Sequence, residues 1–242
     1  MIRFLALIGI QLASMHFCLC QDNDDIEEIL EARKQGVIEF NNQSYTAHIL
    51  TGKEYDPYYQ WAVNSPFFRA TDVSPGTLIY EGVKFNGIEI QYDLFLEKVV
   101  VFLESERHSS YATLDEEKIS SFSFEGYDFI HVFHDQVMPD DIYQLGFAGK
   151  NSSLFIKRKK TRFERMKEGK IIVDFTPADL YYIKNKSGTF QVTSKMDLLL
   201  AYNKSSALIN LIKEKKARFS KRRIEQNLIA ILPFIDSQFT TD

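Results

Sequence analysis

Short apolar runs separated by turn residues repeat along most of the 242-residue chain and set its expected architecture. Many of these runs are rich in Val, Ile, Phe and Tyr and alternate with polar residues, a pattern typical of half-buried β-strands. The runs cover residues 44–51, 77–103, 109–114, 119–124, 127–133, 142–148, 153–159, 171–175, 180–184 and 189–192. Their regular spacing predicts an antiparallel sheet or a partly open barrel of about ten strands.

The clearest strand region spans residues 77–103, where turn residues predict how the runs connect. It holds three β-rich runs, which are separated by Asn86-Gly87 and by Glu97-Lys98. An Asn-Gly pair between alternating apolar runs is a strong hairpin signal, because both residues accept the positive φ angles of a two-residue turn. We therefore expect a hairpin turn at Asn86-Gly87.

Helical periodicity marks the two ends of the chain. Residues 24–35 place apolar side chains at helical spacing, with acids near the start and bases near the end, as the helix dipole favours. Residues 194–197 resemble a capping box, and residues 205–218 and 221–232 each carry an apolar stripe opposite a basic face. Pro233 is expected to end the last helix.

Together these patterns predict a mainly β fold of the α+β class. It would combine the sheet or partly open barrel with a short N-terminal helix and two to three C-terminal amphipathic helices. No low-complexity linker interrupts residues 21–242, so we expect a single β-rich domain whose helical segment spans residues 194–236.

The first twenty residues predict export. Arg3 precedes a largely apolar run at residues 4–17, which is too short and too interrupted to span a bilayer as a helix and is typical of a secretory signal. Cys18 and Cys20 suit the positions before a signal-peptidase cut after Cys20. The large residue before each cysteine does not suit a lipoprotein site, so we expect a protein that is not lipidated.

The cysteine content and the net charge narrow the class of exported protein further. Both cysteines of the chain lie in the predicted signal, so the mature protein would have neither a disulfide nor a cysteine nucleophile. A β-rich exported protein without disulfides suits the bacterial periplasm or outer surface. The net charge is −4 and no second apolar run reaches membrane-spanning length, so no transmembrane span is expected after signal cleavage.

The order of sequence blocks resembles a group of exported, β-rich proteins of unknown function from Bacteroidota-type bacteria. The blocks are the signal ending before Gln21, "SPFF" after a Trp-containing aromatic stretch, "EGVKFNGIEIQYDLFLEKVVV", "YQLGFAGKNSSLFIKRKK" and the C-terminal helices. The resemblance covers most of residues 40–236. It implies export and a β-rich fold, and it implies no catalytic residue, because none is established for the group.

Residues 131–135, His-Val-Phe-His-Asp, form the most site-like cluster in the sequence. A metal site needs imidazole and carboxylate groups that converge on one point. On a strand, His131 and Asp135 would share one face while His134 takes the other. We therefore expect no metal site here, and no other motif indicates a cofactor, since phosphate-binding glycine loops and a Gly-x-Ser-x-Gly elbow are missing.

Carboxylates on strands leave one catalytic alternative open. Glu89, Asp93, Glu97 and Glu104 lie on predicted strands and could form a pair for hydrolysis, because such pairs are assembled in space rather than in sequence. Their plainer interpretation is a solvated sheet face.

The basic stretch at residues 157–170 carries eight Lys or Arg against two Glu. The runs at residues 142–148 and 153–159 predict a hairpin whose second strand is an outer one, and residues 161–169 are expected to form a loop. The first bases would then form an exposed cationic patch, a candidate contact for an anionic surface. Its members are Lys157, Arg158, Lys159, Lys160 and Arg162. Phe163 is the only aromatic residue of the loop, which argues against nucleic-acid stacking.

The sequence leaves two functions open. The first is an exported, non-catalytic binding, carrier or interaction protein whose partner could be an anionic envelope surface or another envelope protein, with no nucleic acid and no cofactor. The alternative is an extracytoplasmic hydrolase that uses spatially assembled carboxylates.

Overall fold

The computed structural model describes residues 38–40, 53–56, 62–69, 72–104 and 109–238. The predicted signal at residues 1–20, the N-terminal helix at residues 24–35 and the strand at residues 44–51 lie outside the described residues.

An open antiparallel sheet is the main structural element of the described chain. In chain order the strands are β1 (Ile38–Phe40), β2 (Lys53–Glu54), β3 (Ser74–Tyr80), β4 (Val83–Asp93), β5 (Lys98–Glu104), β6 (Ser109–Thr113), β7 (Ile119–Phe124), β8 (Tyr127–Val132), β9 (Asp141–Ala148), β10 (Ser152–Lys157), β11 (Lys160–Lys167), β12 (Lys170–Pro177), β13 (Leu180–Asn185) and β14 (Gly188–Gln191). Eleven of them follow the order β14-β13-β10-β9-β8-β7-β3-β4-β5-β6-β2, and β1 lies parallel to β4. The predicted mainly β fold is confirmed, and the sheet does not close into a barrel.

The predicted hairpin turn at Asn86-Gly87 is wrong, because both residues lie inside β4. The chain turns instead at Glu81-Gly82, where the φ angles are 50° and 76°. Gly87 has a φ of 69° and sits where the β3–β4 register shifts, so it is the extra residue of a β-bulge. An Asn-Gly pair serves a bulge as well as a turn, since both need positive φ. The predicted turn at Glu97-Lys98 matches the β4–β5 connection.

The residues predicted as a loop form a strand. β11 pairs with β12 along its whole length to give a separate two-stranded ribbon. The strands meet at Glu168-Gly169, whose φ angles of 53° and 76° give the two-residue turn that suits the twist of a hairpin. β11 carries mainly long polar side chains, so its own sequence signals a strand weakly; pairing with the apolar β12 decides its conformation.

Three helices follow the last strand, as predicted: α1 (Lys195–Ala201), α2 (Ser206–Glu214) and α3 (Ile224–Gln238). The capping box of α1 is present, with Ser194 and Asp197 each accepting from the other's backbone N–H. Pro233 lies inside α3 and does not end it. The turn beyond the proline is held by tertiary contacts, because Ile235 is buried and Asp236 binds the β9–β10 turn.

Two large apolar clusters make up most of the buried core of the described chain, and a smaller one with Ile130, Tyr143 and Phe155 lies between them. One lies on β3–β8 and contains stacked aromatic rings, including Phe122 and Phe129 with centroids 4.6 Å apart. The other joins β10 and β13 to the three helices, through residues such as Ile156, Ile183 and Leu228. The strands between these clusters, β8 to β10, carry the polar groups described below. No helix among the described residues has the length and apolar character needed to cross a bilayer.

Candidate functional site

The basic stretch is not one exposed patch. Only 6% of Lys157 and 8% of Arg158 are exposed, and all six residues of β10 are buried. The expectation that β10 is an outer strand is wrong, because β9 covers one edge and β13 covers the other. Buried cations need charged partners, and both residues have them.

Lys157 joins two carboxylates from different parts of the sheet. Its Nζ lies 2.7 Å from an oxygen of Glu97 in the β4–β5 turn and 2.5 Å from an oxygen of Asp141 at the start of β9. Burial would raise the pKa of Glu97, but hydrogen bonds from Lys157 and Lys159 outweigh it and lower that pKa. This ammonium therefore fixes the position of Asp141.

Arg158 ties the sheet to the last helix. It donates to Gln144 Oε1 at 2.7 Å and to Asp179 at 2.6 Å, and it forms a bidentate pair with Glu225 of α3 at 2.8 and 2.6 Å. Burial lowers the pKa of Arg158, whereas Glu225 and Asp179 raise it above its ordinary value. The planar guanidinium thus joins β9, the β12–β13 connection and α3 through hydrogen bonds, which is a structural role.

Lys160 is also committed to the fold. Its Nζ donates to the backbone oxygens of Ser65 at 2.8 Å and Phe67 at 2.7 Å. Burial lowers the pKa of this ammonium. Lys160, at the start of β11, therefore ties the connection between β2 and β3 to the ribbon.

The remaining two bases are partly exposed. The side chain of Lys159 is 44% exposed and pairs with Glu97, and that of Arg162 is 34% exposed and pairs with Glu164 at 2.6 Å. The exposed five-residue patch is therefore a wrong expectation, because at least Lys157 and Arg158 are buried and paired. Contact of any of these residues with an anionic surface stays a prediction.

The most site-like group in the structure surrounds His131 on β8. Only 7% of this residue is exposed. Its Nδ1 lies 3.0 Å from the backbone oxygen of Glu116 and 3.1 Å from that of Ile119. Both oxygens can only accept, so Nδ1 carries a proton, and in the tautomer protonated at Nδ1 alone Nε2 is an acceptor. No described residue donates to that Nε2.

A cavity of about 500 Å³ lies beside this imidazole. Its walls combine one aromatic ring with carboxylates from a short 3₁₀ helix (Glu116–Lys118) and from the start of β9. The lining residues are Glu116, Glu117, His131, Phe133, Asp140 and Asp141. We call this the acidic cavity.

The charges of the acidic cavity are only partly balanced. Lys98 lies 3.0 Å from Glu116 and Lys157 pairs with Asp141, whereas no described Lys or Arg pairs with Glu117 or Asp140. The cavity therefore keeps an excess of negative charge. An acidic recess of this kind concentrates cations at its mouth.

Phe133 gives the acidic cavity an aromatic wall. Its ring stacks on that of His131 with centroids 3.9 Å apart, and 42% of the residue is exposed. An exposed aromatic face beside carboxylates attracts a cation through the ring quadrupole as well as through charge.

A buried phenol lies on the inner side of this negative region. The hydroxyl of Tyr92 has no hydrogen-bond partner among the described residues. Burial raises its pKa well above the ordinary value, and the carboxylates of Asp141, Glu97, Glu116 and Asp93 raise it further. Tyr92 therefore stays neutral.

The side chains of the His-Val-Phe-His-Asp segment at residues 131–135 point in different directions. His134 lies beyond the end of β8 and its side chain is 91% exposed, with Nδ1 3.9 Å from an oxygen of Asp140. Asp135 faces elsewhere: it accepts from the backbone of Val137 and Met138 and from the hydroxyl of Thr189. No set of three or more metal-ligating side chains converges within the described ranges.

Of the strand carboxylates considered for hydrolysis, Asp93 and Glu97 are already bound by other groups of the described chain. Asp93 is fully buried and accepts from Tyr55 Oη at 2.7 Å and from backbone N–H groups of the following turn. Glu97 holds Lys157 and Lys159, and Glu89 is exposed on β4. Glu104 ends β5. Asp93 and Glu97 thus already serve the fold.

Two other cavities contain polar groups that are already paired. One of about 310 Å³ lies between the β9–β10 turn and α3, where Asn151 and Asn185 donate their amides to backbone oxygens and Asp236 accepts three hydrogen bonds. Another, of about 540 Å³, includes Asp179, which pairs with Arg158. Neither offers an uncommitted buried acceptor comparable to His131.

Sequence reasoning singled out His131 but paired it with the wrong neighbours. Glu116 and Glu117 lie before β7, and Asp140 and Asp141 follow Pro139, where two acids suggest a turn. Only the pairing of β8 with both β7 and β9 brings these segments to the same end of three neighbouring strands. Comparison with protein-family models, with curated proteins and with solved structures found no match.

Proposed function

We propose that this protein is an exported, non-catalytic binding protein that holds a small organic cation, carrying one or two protonated amino groups, in the acidic cavity. The observation that carries this proposal is the uncommitted Nε2 of His131, a nine-tenths buried acceptor beside unbalanced carboxylates.

The donor pattern of a protonated amine matches this acceptor set. An ammonium group has donors and no acceptor, and it can donate to the imidazole Nε2 and to carboxylate oxygens at once. Lys157 provides an internal precedent, since its ammonium already occupies the inner side of Asp141. A ligand ammonium would meet Glu117 and Asp140 on the outer side.

Size and shape agree with a small molecule. A volume of about 500 Å³ lies in the range of cavities that hold small ligands. Phe133 would cover the carbon chain or the charged head of the ligand.

Export is part of this proposal. It is supported by the signal-like start of the chain and by the resemblance to exported β-rich proteins, which together favour the periplasm or the outer surface. An extracytoplasmic protein meets free amines directly, without competition from cytoplasmic nucleic acids.

Calorimetric titration with diaminobutane and with butanediol tests the charge recognition. The two probes have the same chain length and differ in their terminal groups. We expect diaminobutane to bind about tenfold more tightly, because two partly exposed ion pairs contribute up to about 1 kcal/mol each. Equal binding of both probes, or no binding of either at millimolar concentration, would contradict the proposal.

Substitutions of Glu117 and Asp140 test whether the ligand binds in the acidic cavity. Glu117→Gln and Asp140→Asn should each weaken diaminobutane binding about two- to fivefold, whereas Asp128→Asn on the opposite face of β8 should leave it unchanged. The ¹⁵N resonance of His131 Nε2 should move on titration, because a new donor changes the shielding of that nitrogen. A resonance that stays fixed while diaminobutane binds would place the ligand elsewhere.

A further inference from the structure

The outer end of the β11–β12 ribbon is exposed on both faces. Phe163, Met166 and Ile171 are 57%, 77% and 60% exposed, and every residue from 162 to 171 is exposed. At the base of the ribbon, by contrast, Val173 and Phe175 are buried. The ribbon end therefore stands in solvent with large apolar side chains that are mostly exposed.

The strand register determines which side chains share a face at the ribbon end. Met166 lies opposite Ile171, so the two form an exposed apolar cross-strand pair. Lys167 lies opposite Lys170, and Arg165 shares their face because it is two residues from Lys167. Like charges directly opposite each other destabilise a hairpin, so this arrangement does not serve the ribbon's own stability.

The bases of the ribbon end have no internal counter-charge. Arg165, Lys167 and Lys170 form no ion pair with any described residue, whereas Arg162 further down is paired with Glu164. The only acid at the tip is Glu168 in the turn. The ribbon end is therefore net positive in a chain whose net charge is −4.

We propose that the ribbon end docks on an anionic lipid bilayer. Met166 and Ile171 would enter the boundary between headgroups and acyl chains, while Arg165, Lys167 and Lys170 reach the lipid phosphates. The apolar pair projects from one face of the ribbon and the three bases from the other, so the ribbon would meet the bilayer end-on, with the long basic side chains reaching the headgroup level. Apolar side chains next to bases are the combination that binds such an interface, through buried area and electrostatic attraction together. This inference is independent of the acidic cavity.

Sedimentation of the full chain with vesicles measures this interaction. We expect binding to vesicles that contain phosphatidylglycerol and much weaker binding to vesicles of phosphatidylcholine alone. Neutralising the three bases as Arg165→Gln, Lys167→Gln and Lys170→Gln should weaken binding about 100-fold at low salt, since each base near an anionic membrane contributes about fivefold.

Two further variants test the geometry. Met166→Thr with Ile171→Thr should weaken binding about tenfold, and this loss should persist at high salt because it comes from apolar contact. Glu168→Gln should strengthen binding about fivefold if the tip meets the lipid end-on. All of these positions are exposed, so the thermal midpoint should change by no more than about 2 °C, with a small rise where the repulsion between Lys167 and Lys170 is removed.

A matched control separates the ribbon from general charge. Lys221, Arg222 and Arg223 are three exposed bases near the start of α3, and changing all three to Gln removes the same charge. Because all variants share the same N-terminus, differences among them report the substituted residues. Equal loss of binding in this control would overturn the proposal, as would wild-type protein that ignores anionic vesicles at low salt. Ribbon-dependent self-association without vesicle binding would overturn it in favour of a protein partner.

Discussion

Replacing Arg158 with Met is the sharpest test of the buried charge network. Met keeps an unbranched chain of similar length but removes the guanidinium. It leaves Asp179 and Glu225 without their cation and Gln144 without its donor. Because those carboxylates are only 14% and 31% exposed, water replaces the lost partner incompletely.

The expected loss follows from that burial. Removing one partner of a buried ion pair costs about 3–5 kcal/mol, since the remaining charge is left uncompensated. For a chain of this size about 1 kcal/mol shifts the thermal midpoint by about 2–4 °C, so we expect a fall of about 10 °C. Urea unfolding followed by circular dichroism measures the free energy of unfolding directly.

Arg162→Gln is the matched control, because it lies in the same basic stretch and the sequence does not distinguish it from Arg158. Its side chain is 34% exposed and its pair with Glu164 faces solvent, so the expected cost is below about 1 kcal/mol. If both variants lose less than that amount, Arg158 is not buried among carboxylates as described. In the triple variant with Asp179→Asn and Glu225→Gln, part of the stability should return, since no unpaired carboxylate remains.

Three further outcomes follow from named contacts. In the folded state the Lys and Arg partners of Glu97 and Glu225 outweigh burial and lower the pKa of both carboxyl groups below the ordinary value of 4.5. The stabilisation that these ion pairs give is therefore complete above that pH and disappears as the pH falls through the folded pKa values. Urea midpoints should decline below about pH 4.5, and a midpoint independent of pH in that range would contradict the pairing. Gly76→Ala should cost about 1–3 kcal/mol in urea unfolding, because its Cβ would lie 2.2 Å from the backbone oxygen of Ser123; an unchanged midpoint would refute that contact. Asp236→Ala should cost about 2–4 kcal/mol by the same measurement, because three donors of the β9–β10 turn lose their carboxylate, and a loss below about 0.5 kcal/mol would show that the turn does not need it.

Local sequence patterns determined most of the strands and the C-terminal helices. The run at residues 119–124 coincides with β7, and the capping box before α1 forms as its residues predict. Alternating apolar positions and capping side chains act within a few residues of each other, so their effect can be recognised without knowing the tertiary structure.

Some local signals have two structural outcomes, and the sequence does not choose between them. Asn86-Gly87 fits a turn and a bulge equally well, and the position of β3 selected the bulge. Pro233 ends many helices, but the burial of Ile235 and the contacts of Asp236 hold one more turn of α3. In both cases contacts distant in sequence outweighed the local preference.

Only the tertiary structure determined whether each charged side chain is buried in an ion pair or exposed to solvent. Lys157 and Lys167 look alike in sequence, yet one is buried between Glu97 and Asp141 and the other is exposed at the end of the ribbon. The difference arises because β10 lies between two strands, whereas β11 pairs only with β12.

The candidate site follows the same rule. The residues of the acidic cavity come from segments that precede β7, end β8 and begin β9, and strand pairing alone brings them together around His131. A sequence determines which side chains are available and which face of an element they share. Which carboxylates meet one imidazole depends on strand order and register, because Coulomb and hydrogen-bond interactions act over a few ångströms in space and not along the chain.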